Sequence, residues 1–453
     1  MASQTKTDYQ LQHQLFKAVL GMRVNIVHPG AGELSYEIRG IVDFAQKLAA
    51  TGIDITWENI GDPVAKGEEV PKWIRDIVKN AVNNGSRSYA YSPTKGLNEA
   101  REFLARQRTK ETGNTLKPDN ILFFNGLGDA INKTYTWLNP VARVLGPSPA
   151  YPTHSSIEGA HGRSMHLTYK LDINNEWMPD IEDIRSKVKH NPTIAGLLLI
   201  SPDNPTGAVY PRRILQQFVD IAKQYELFLI ADEIYANLAY DQEGFTPLAM
   251  LTDDVPTIIM RGLSKEVPWP GSRCGWLEFY NLHVDESFDR YAKSIEEAKM
   301  TEVCSTTLPQ IVLPKILGDQ RYAKHLSNRR QKYVRRAEEA CKVLNNSPAF
   351  KVIKPKGAFY LAVTLTDKFV KSKFKLKAAN AKAQKLLDKE LTKIPEHDFD
   401  KRFCYQLMAN TGVCVVPLST GFNSYIPGFR MTLLEPDDAK FSRTLSKIAS
   451  VLK

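Results

Sequence analysis

TIIMRGLSKEVPWPGSRCGWLEF, residues 257–279, sets a lysine between a serine and a glutamate, just after an apolar run and ahead of prolines, glycines and a single arginine. TIIM (257–260) and WLEF (276–279) read as buried strands, and the ends of strands in an α/β protein are where chemistry is mounted. Lys265 can then be a nucleophile and not a solubilising charge. Taken alone, a surface lysine is the plainer reading.

Outward from this stretch, more apolar runs have strand length: ILFF (121–124), VLG (144–146), GLLLIS (196–201) and LFLIA (227–231). Between two of them RRILQQFVDIAKQY (212–225) carries apolar residues at helical spacing. Such alternation predicts an α/β fold, a mostly parallel central sheet with helices on both faces and active residues beyond the strand ends. The flanks, before about residue 60 and after about residue 310, read as helices with a few strands, a smaller α+β domain built from both chain ends. The expected division is an N-terminal arm and part of the small domain (1–58), a large domain (59–310) and a small C-terminal domain (311–453).

A chain of 453 residues, 43% hydrophobic and 24% charged, has the composition of a globular enzyme and not of a fibrous or disordered protein. Its formal charge of +10 favours anionic ligands, and much of the excess is local, with nine lysines between Lys368 and Lys393. The second half of that stretch has helical character and no aromatic-interleaved motif accompanies it, so a solvated face is expected and no nucleic-acid partner. Five scattered cysteines, without a CxxC pair, indicate neither a disulfide framework nor a metal site. The opening MASQTKTDYQLQHQ lacks the pattern of a signal peptide, and no apolar run approaches a membrane span, so a soluble cytoplasmic protein is expected.

Four features at the predicted strand ends change the standing of Lys265. SPDNPTG (201–207) follows one strand, and ADEIY (231–235) closes the next with two carboxylates and a tyrosine. NGLGDA (125–130) is a glycine-bearing turn that can aim backbone N–H groups and a helix N-terminus at a phosphate. Arg273 follows Lys265 by eight residues, among glycines. Each alone has a structural explanation as turn, helix cap or packing; together they suit pyridoxal phosphate, whose aldehyde wants an amine, whose phosphate wants N–H groups and an arginine, and whose ring nitrogen wants an acid.

In these motifs, from NIGDP (59–63) to FRMTLLE (429–435), the chain resembles the fold-type I pyridoxal 5'-phosphate aminotransferases of class I/II, including alanine and aromatic aminotransferases. The resemblance implies that Lys265 forms the Schiff base and shuttles the substrate proton, that Asp232 keeps the ring nitrogen protonated, and that Tyr235 and Asn204 bond the ring hydroxyl. It implies a phosphate site from Arg273 and the backbone of Gly126 and Leu127, and a ring-stacking aromatic at Tyr151 of SPAYPTH. Tyr91 of YSPTKGL would reach the partner subunit's phosphate, giving a homodimer with shared sites; Arg430, with Gly61 nearby, would grip the substrate carboxylate. The implied activity is transfer of an amino group between an L-amino acid and a 2-oxo acid by a ping-pong mechanism, without a metal.

Departures accompany the match. Gly262 stands where the family often has a phosphate-binding hydroxyl, which leaves Ser264 as the candidate, and EEAKMTEVCSTT (296–307) holds no arginine for a second substrate carboxylate. Relatives with the same lysine environment include carbon–sulfur lyases and cyclopropane-carboxylate synthases, so elimination is the enzymatic alternative. A cofactor-sensing regulator would need a DNA-binding module that residues 1–55 are too few to supply.

Overall fold

The structure is a computed structural model that describes residues 25–34, 37–372 and 374–451; the N-terminal stretch read above for a signal peptide, and the first 24 residues of the expected arm, lie outside the described residues. The strands are β1 (Thr56–Trp57), β2 (Ile121–Asn125), β3 (Arg143–Ser148), β4 (Thr168–Asp172), β5 (Met178–Pro179), β6 (Ile194–Ile200), β7 (Phe228–Asp232), β8 (Thr257–Gly262) and β9 (Cys274–Tyr280), followed by β10 (Phe350–Val352), β11 (Tyr360–Leu365), β12 (Val413–Cys414), β13 (Val416–Pro417) and β14 (Gly428–Thr432). Eight of them form one sheet in the order β2-β9-β8-β7-β6-β3-β4-β5.

The central strands are apolar almost throughout because both faces are covered. Leu197, Leu199, Leu229, Ala231 and Ile259 point into one core with Ile214, Leu215 and Phe218 of the helix Arg212–Gln224. Their neighbours Leu198, Ile200, Ile230, Ile258 and Met260 point into a second core with Ala130, Ile131 and Tyr135 of the helix Leu127–Thr136 and Phe288, Ala292 and Ile295 of the helix Glu286–Met300. The period-two alternation of side chains makes this split, so each strand serves two layers of helices. All six strands expected from apolar runs are present.

Adjacent pairs among β8, β7, β6, β3 and β4 are parallel, whereas β9 runs antiparallel to both β8 and β2. The β8–β9 pair is thus a hairpin, Thr257 facing Tyr280 and Gly262 facing Gly275, and its connection carries Lys265 and Arg273 at the same sheet edge. That edge is also where β2, β3, β6 and β7 end, so every strand-end motif named above lies along it. The edge strands β4 and β5 were not anticipated, because TYKLD alternates buried and exposed positions and lacks an apolar run.

A second, antiparallel sheet has the order β10-β11-β14-β13, and β1 pairs in parallel with β12, which ties the N-terminal flank to the C-terminal one. The helix Glu37–Ala49 joins this unit through Phe44, stacked on Tyr405 at 4.8 Å. Within the lysine-rich stretch Phe369 stacks on Phe374 at 4.4 Å and both meet Phe403, which anchors the connection while Lys375, Lys377, Lys382, Lys385 and Lys389 stay exposed. None of the described helices is long and apolar enough to cross a membrane.

Candidate active site

The hairpin connection is held from behind by the helix Gln320–Leu344. Arg329 donates from Nη1 to the Lys265 carbonyl at 2.7 Å and the Glu266 carbonyl at 3.1 Å, and is itself held by Glu68 at 2.5 Å. With its backbone pinned, Lys265 aims its side chain at the 59–61 segment, where Nζ donates to the Gly61 carbonyl at 2.8 Å with the Phe359 ring 5.9 Å away.

Arg430, on β14, comes to the same segment from the small sheet. Its Nη2 donates to the Asn59 carbonyl at 2.5 Å and its Nη1 reaches Asn204 Oδ1 at 3.4 Å. The guanidinium lies between two rings, Tyr360 at 4.6 Å and Phe422 at 5.0 Å, and is only 2% exposed. Its Nε has no partner, nor has the buried Asn59 Oδ1. Among the described residues no carboxylate pairs with Arg430, Lys265 or Arg273, whose side chains donate only to carbonyl or amide oxygens. A buried guanidinium without a counter-carboxylate is costly, and an anionic ligand relieves that cost.

Tyr235, buried just beyond the end of β7, donates its hydroxyl to that of Tyr360 on β11 at 3.0 Å; burial, and then the neighbouring Tyr360, push its phenol well above the usual range, so it stays protonated. Asp232, the last residue of β7, accepts from the Ile234 N–H at 3.1 Å and meets His154 Nε2 at 3.1 Å, while His154 Nδ1 lies 3.4 Å from the Tyr135 hydroxyl. Tyr151 stands edge-on to His154 with ring centroids 6.4 Å apart.

Gly126 opens the helix Leu127–Thr136 at φ +83°, and a Cβ there would overlap the Arg273 guanidinium, so Arg273 lies directly over the start of that helix. Arg273 Nη2 donates to the Asn125 carbonyl at 3.2 Å. The first N–H groups of a helix have no acceptor in its own ladder, so this corner combines a guanidinium with the donors of Leu127 and Gly128, while the Gly126 N–H turns back to the Phe124 carbonyl at 2.8 Å.

The structure therefore gathers Lys265, Gly61, Asn204, Tyr235 and Arg430 in one cluster, and sets Asp232, Tyr151, Gly126, Leu127 and Arg273 along the same sheet edge. Ser264 is half-buried beside Lys265, and Tyr91, 83% exposed, stands outside the cluster. The sequence reading left out His154, Tyr360, Phe359, Phe422 and Asn59. His154 sits within the quoted SPAYPTH, three residues after Tyr151, and that spacing on a helix start was its signal. Tyr360 lies in an apolar strand run and carried none.

The model of the family described as aminotransferase class I and II matches residues 57–440. The chain is 50% identical to an uncharacterized aminotransferase of Methanocaldococcus jannaschii, over 94% of this chain and 98% of that one. It is 29% identical to the glutamate-pyruvate aminotransferase of Escherichia coli, over 72% of this chain and 79% of that one. A crystal structure of an Escherichia coli aminotransferase superposes with a TM-score of 0.81 at 25% identity, covering 95% of this chain and 98% of the other. With a family match over residues 57–440 and a site in which a strand-end lysine, the buried Arg430 and the exposed Arg273 all lack carboxylate partners, the chain belongs to the class I and II aminotransferases.

Proposed function

We propose that this aminotransferase is a pyridoxal 5'-phosphate enzyme that moves an amino group between an L-amino acid and a 2-oxo acid by a ping-pong mechanism, acting as a cytoplasmic homodimer. The observation that carries the reading is that Lys265 Nζ and Arg430 Nη2, from different sheets, fall on the carbonyls of Gly61 and Asn59. A nucleophilic amine and a carboxylate-gripping guanidinium are thereby held on carbonyls two residues apart in one segment.

When bound, the cofactor supplies an aldehyde for the lysine and a ring that draws electrons from the substrate α-carbon. The residues present fit it: three cations without carboxylate partners suit a phosphate and a substrate carboxylate, and the spare Nε of Arg430 leaves that guanidinium able to take two oxygens. Arg273, with the backbone of Gly126 and Leu127, would hold the phosphate, although the Gly126 N–H already donates to the Phe124 carbonyl at 2.8 Å, and Ser264 is a further phosphate candidate. Asp232, steadied by His154, would hold the ring-nitrogen proton; Tyr235 and Asn204 would bond the ring hydroxyl, and Tyr151 would stack on the ring. Lys265 Nζ would hold the cofactor's aldehyde and would move the substrate α-proton, as a base and then as an acid. Arg430 orients the substrate carboxylate, with Gly61 allowing close approach because the Tyr360 hydroxyl leaves no room for a side chain there.

The dimer reading is supported by Tyr89 and Tyr91, which are 74% and 83% exposed and would be covered by a second copy. The cytoplasmic reading is supported by five free thiols. Residues 59–310 form the cofactor-binding domain and 311–453, with part of 1–58, the small domain. Similarity to the glutamate-pyruvate enzyme makes alanine and glutamate, with their oxo acids, the substrates to test first.

Borohydride reduction of the cofactor-loaded protein followed by peptide mapping tests the core of this reading. The expected result is a phosphopyridoxyl label on Lys265, with half-reactions for alanine and glutamate. A label on another lysine overturns the assignment.

A further inference from the structure

Tyr360, which no motif singles out, touches Tyr235, Gly61 and Arg430 of the candidate site. Its hydroxyl accepts the Tyr235 hydroxyl at 3.0 Å and abuts Gly61, whose carbonyl holds Lys265. Its ring lies 4.6 Å from the Arg430 guanidinium, opposite Phe422. The residue is 2% exposed and sits on β11 paired with β14, where Ala362 faces Arg430 in register, so sheet geometry sets the ring position.

We propose that Tyr360 is a positioning residue with two separable parts: a hydroxyl that completes a two-phenol relay to Tyr235, and a ring that forms one wall of the Arg430 slot. The inference rests on Tyr235 bonding the cofactor's ring hydroxyl. Each phenol has one proton and a rotatable O–H. As the pair stands, Tyr235 donates to Tyr360. When Tyr235 turns its proton to an anionic ring oxygen, its own oxygen is left in a buried site, and Tyr360 is the group in place to donate to it. A donor that itself receives a hydrogen bond donates more strongly, so the relay draws more charge from the ring oxygen than Tyr235 alone could.

The ring acts on the other substrate contact. A guanidinium between two aromatic faces is restricted to the plane in which both of its edges face along the slot, which is the orientation a carboxylate needs for a paired contact.

Two variants separate the parts. Tyr360→Phe keeps the ring and removes the hydroxyl, so the visible band of the loaded protein should titrate at a pH higher by roughly half a unit to one unit. The direction follows because a weaker bond from Tyr235 leaves the ring oxygen freer to hold the proton on the lysine nitrogen. Tyr360→Leu removes both parts: it should show the same spectral shift, and a KM for the oxo acid at least about fivefold above that of the Phe variant. Tyr235→Phe is the comparator, and circular dichroism melts check folding. If Tyr235→Phe moves the spectral midpoint and Tyr360→Phe leaves it at the wild-type pH, the relay is wrong while the site reading stands. If neither moves it, the role given to Tyr235 fails and the relay fails with it. Equal KM values for the Phe and Leu variants overturn the wall.

Discussion

At Asp203 a single carboxyl carries a pH dependence for the whole chain. Its Oδ2 accepts from the Thr206 N–H at 3.0 Å and the Thr206 hydroxyl at 2.5 Å, while Oδ1 is buried without a partner. Burial pushes the group from an ordinary 3.8 up to about 7, against the pull of the Thr206 bonds and with a further push from Asp232. Because the folded value lies above the unfolded one, the group favours folding below about pH 4, and that support is lost as the pH rises to about 7. In Asp203→Asn an amide oxygen still accepts from Thr206 and nothing ionises. The variant's stability relative to wild type should therefore grow by up to about 1.4 kcal/mol per pH unit across this window and level off above it. Thermal melts of both loaded proteins from pH 5 to 8.5 check this, and a constant gap would show that Asp203 ionises freely when folded.

The junction of β2 with the helix Leu127–Thr136 is where one element hands its geometry to the next. At φ +83° and ψ 165° Gly126 occupies backbone space that only glycine enters at low cost, and its missing Cβ leaves the place where Arg273 lies. Gly126→Ala should cost roughly 1–3 kcal/mol in backbone strain and also displace Arg273. Gly128→Ala, two residues on, adds a Cβ that meets nothing within 4 Å and serves as the control. The first variant is expected to melt earlier and to retain cofactor at least about tenfold more weakly, because a displaced Arg273 no longer gives the phosphate its charge-assisted bond. The second should match wild type in cofactor retention, measured by dialysis and absorbance, and equal retention in both would remove Arg273 from the phosphate site. The same element reading covers the lysine-rich connection, where aromatic anchors and not charge tie the stretch to the small unit.

For the molecule as a whole, the open question is whether one chain holds a complete site. Tyr91 is exposed and away from Lys265, so its proposed phosphate contact needs a second copy. A homodimer with shared sites predicts complementation between Lys265→Ala and Tyr91→Phe subunits. In a random mixture about a quarter of the sites regain both wild-type groups, because each hybrid dimer restores one of its two. At a cofactor concentration where both parents are silent, the mixture should recover activity in that proportion. No recovery in hybrids verified by native mass spectrometry would place Tyr91 outside the site.

The sequence by itself determined the fold class and which strand ends could carry chemistry. These are local matters: a short apolar run buried on both faces, then a turn whose residues are legible from their backbone demands, as in GLLLIS before SPDNPTG or TIIM before the Lys265 loop. The tertiary structure alone decided that β9 turns back against β8, that Lys265 meets a carbonyl 204 positions away, and that Arg430 meets one 371 positions away. Only there do Asp232 and His154 become a pair and Tyr360 a neighbour of both Tyr235 and Arg430. Such meetings depend on which faces of distant elements pack together, and no local pattern encodes that: in the sequence, Tyr360 is one more apolar residue of a strand.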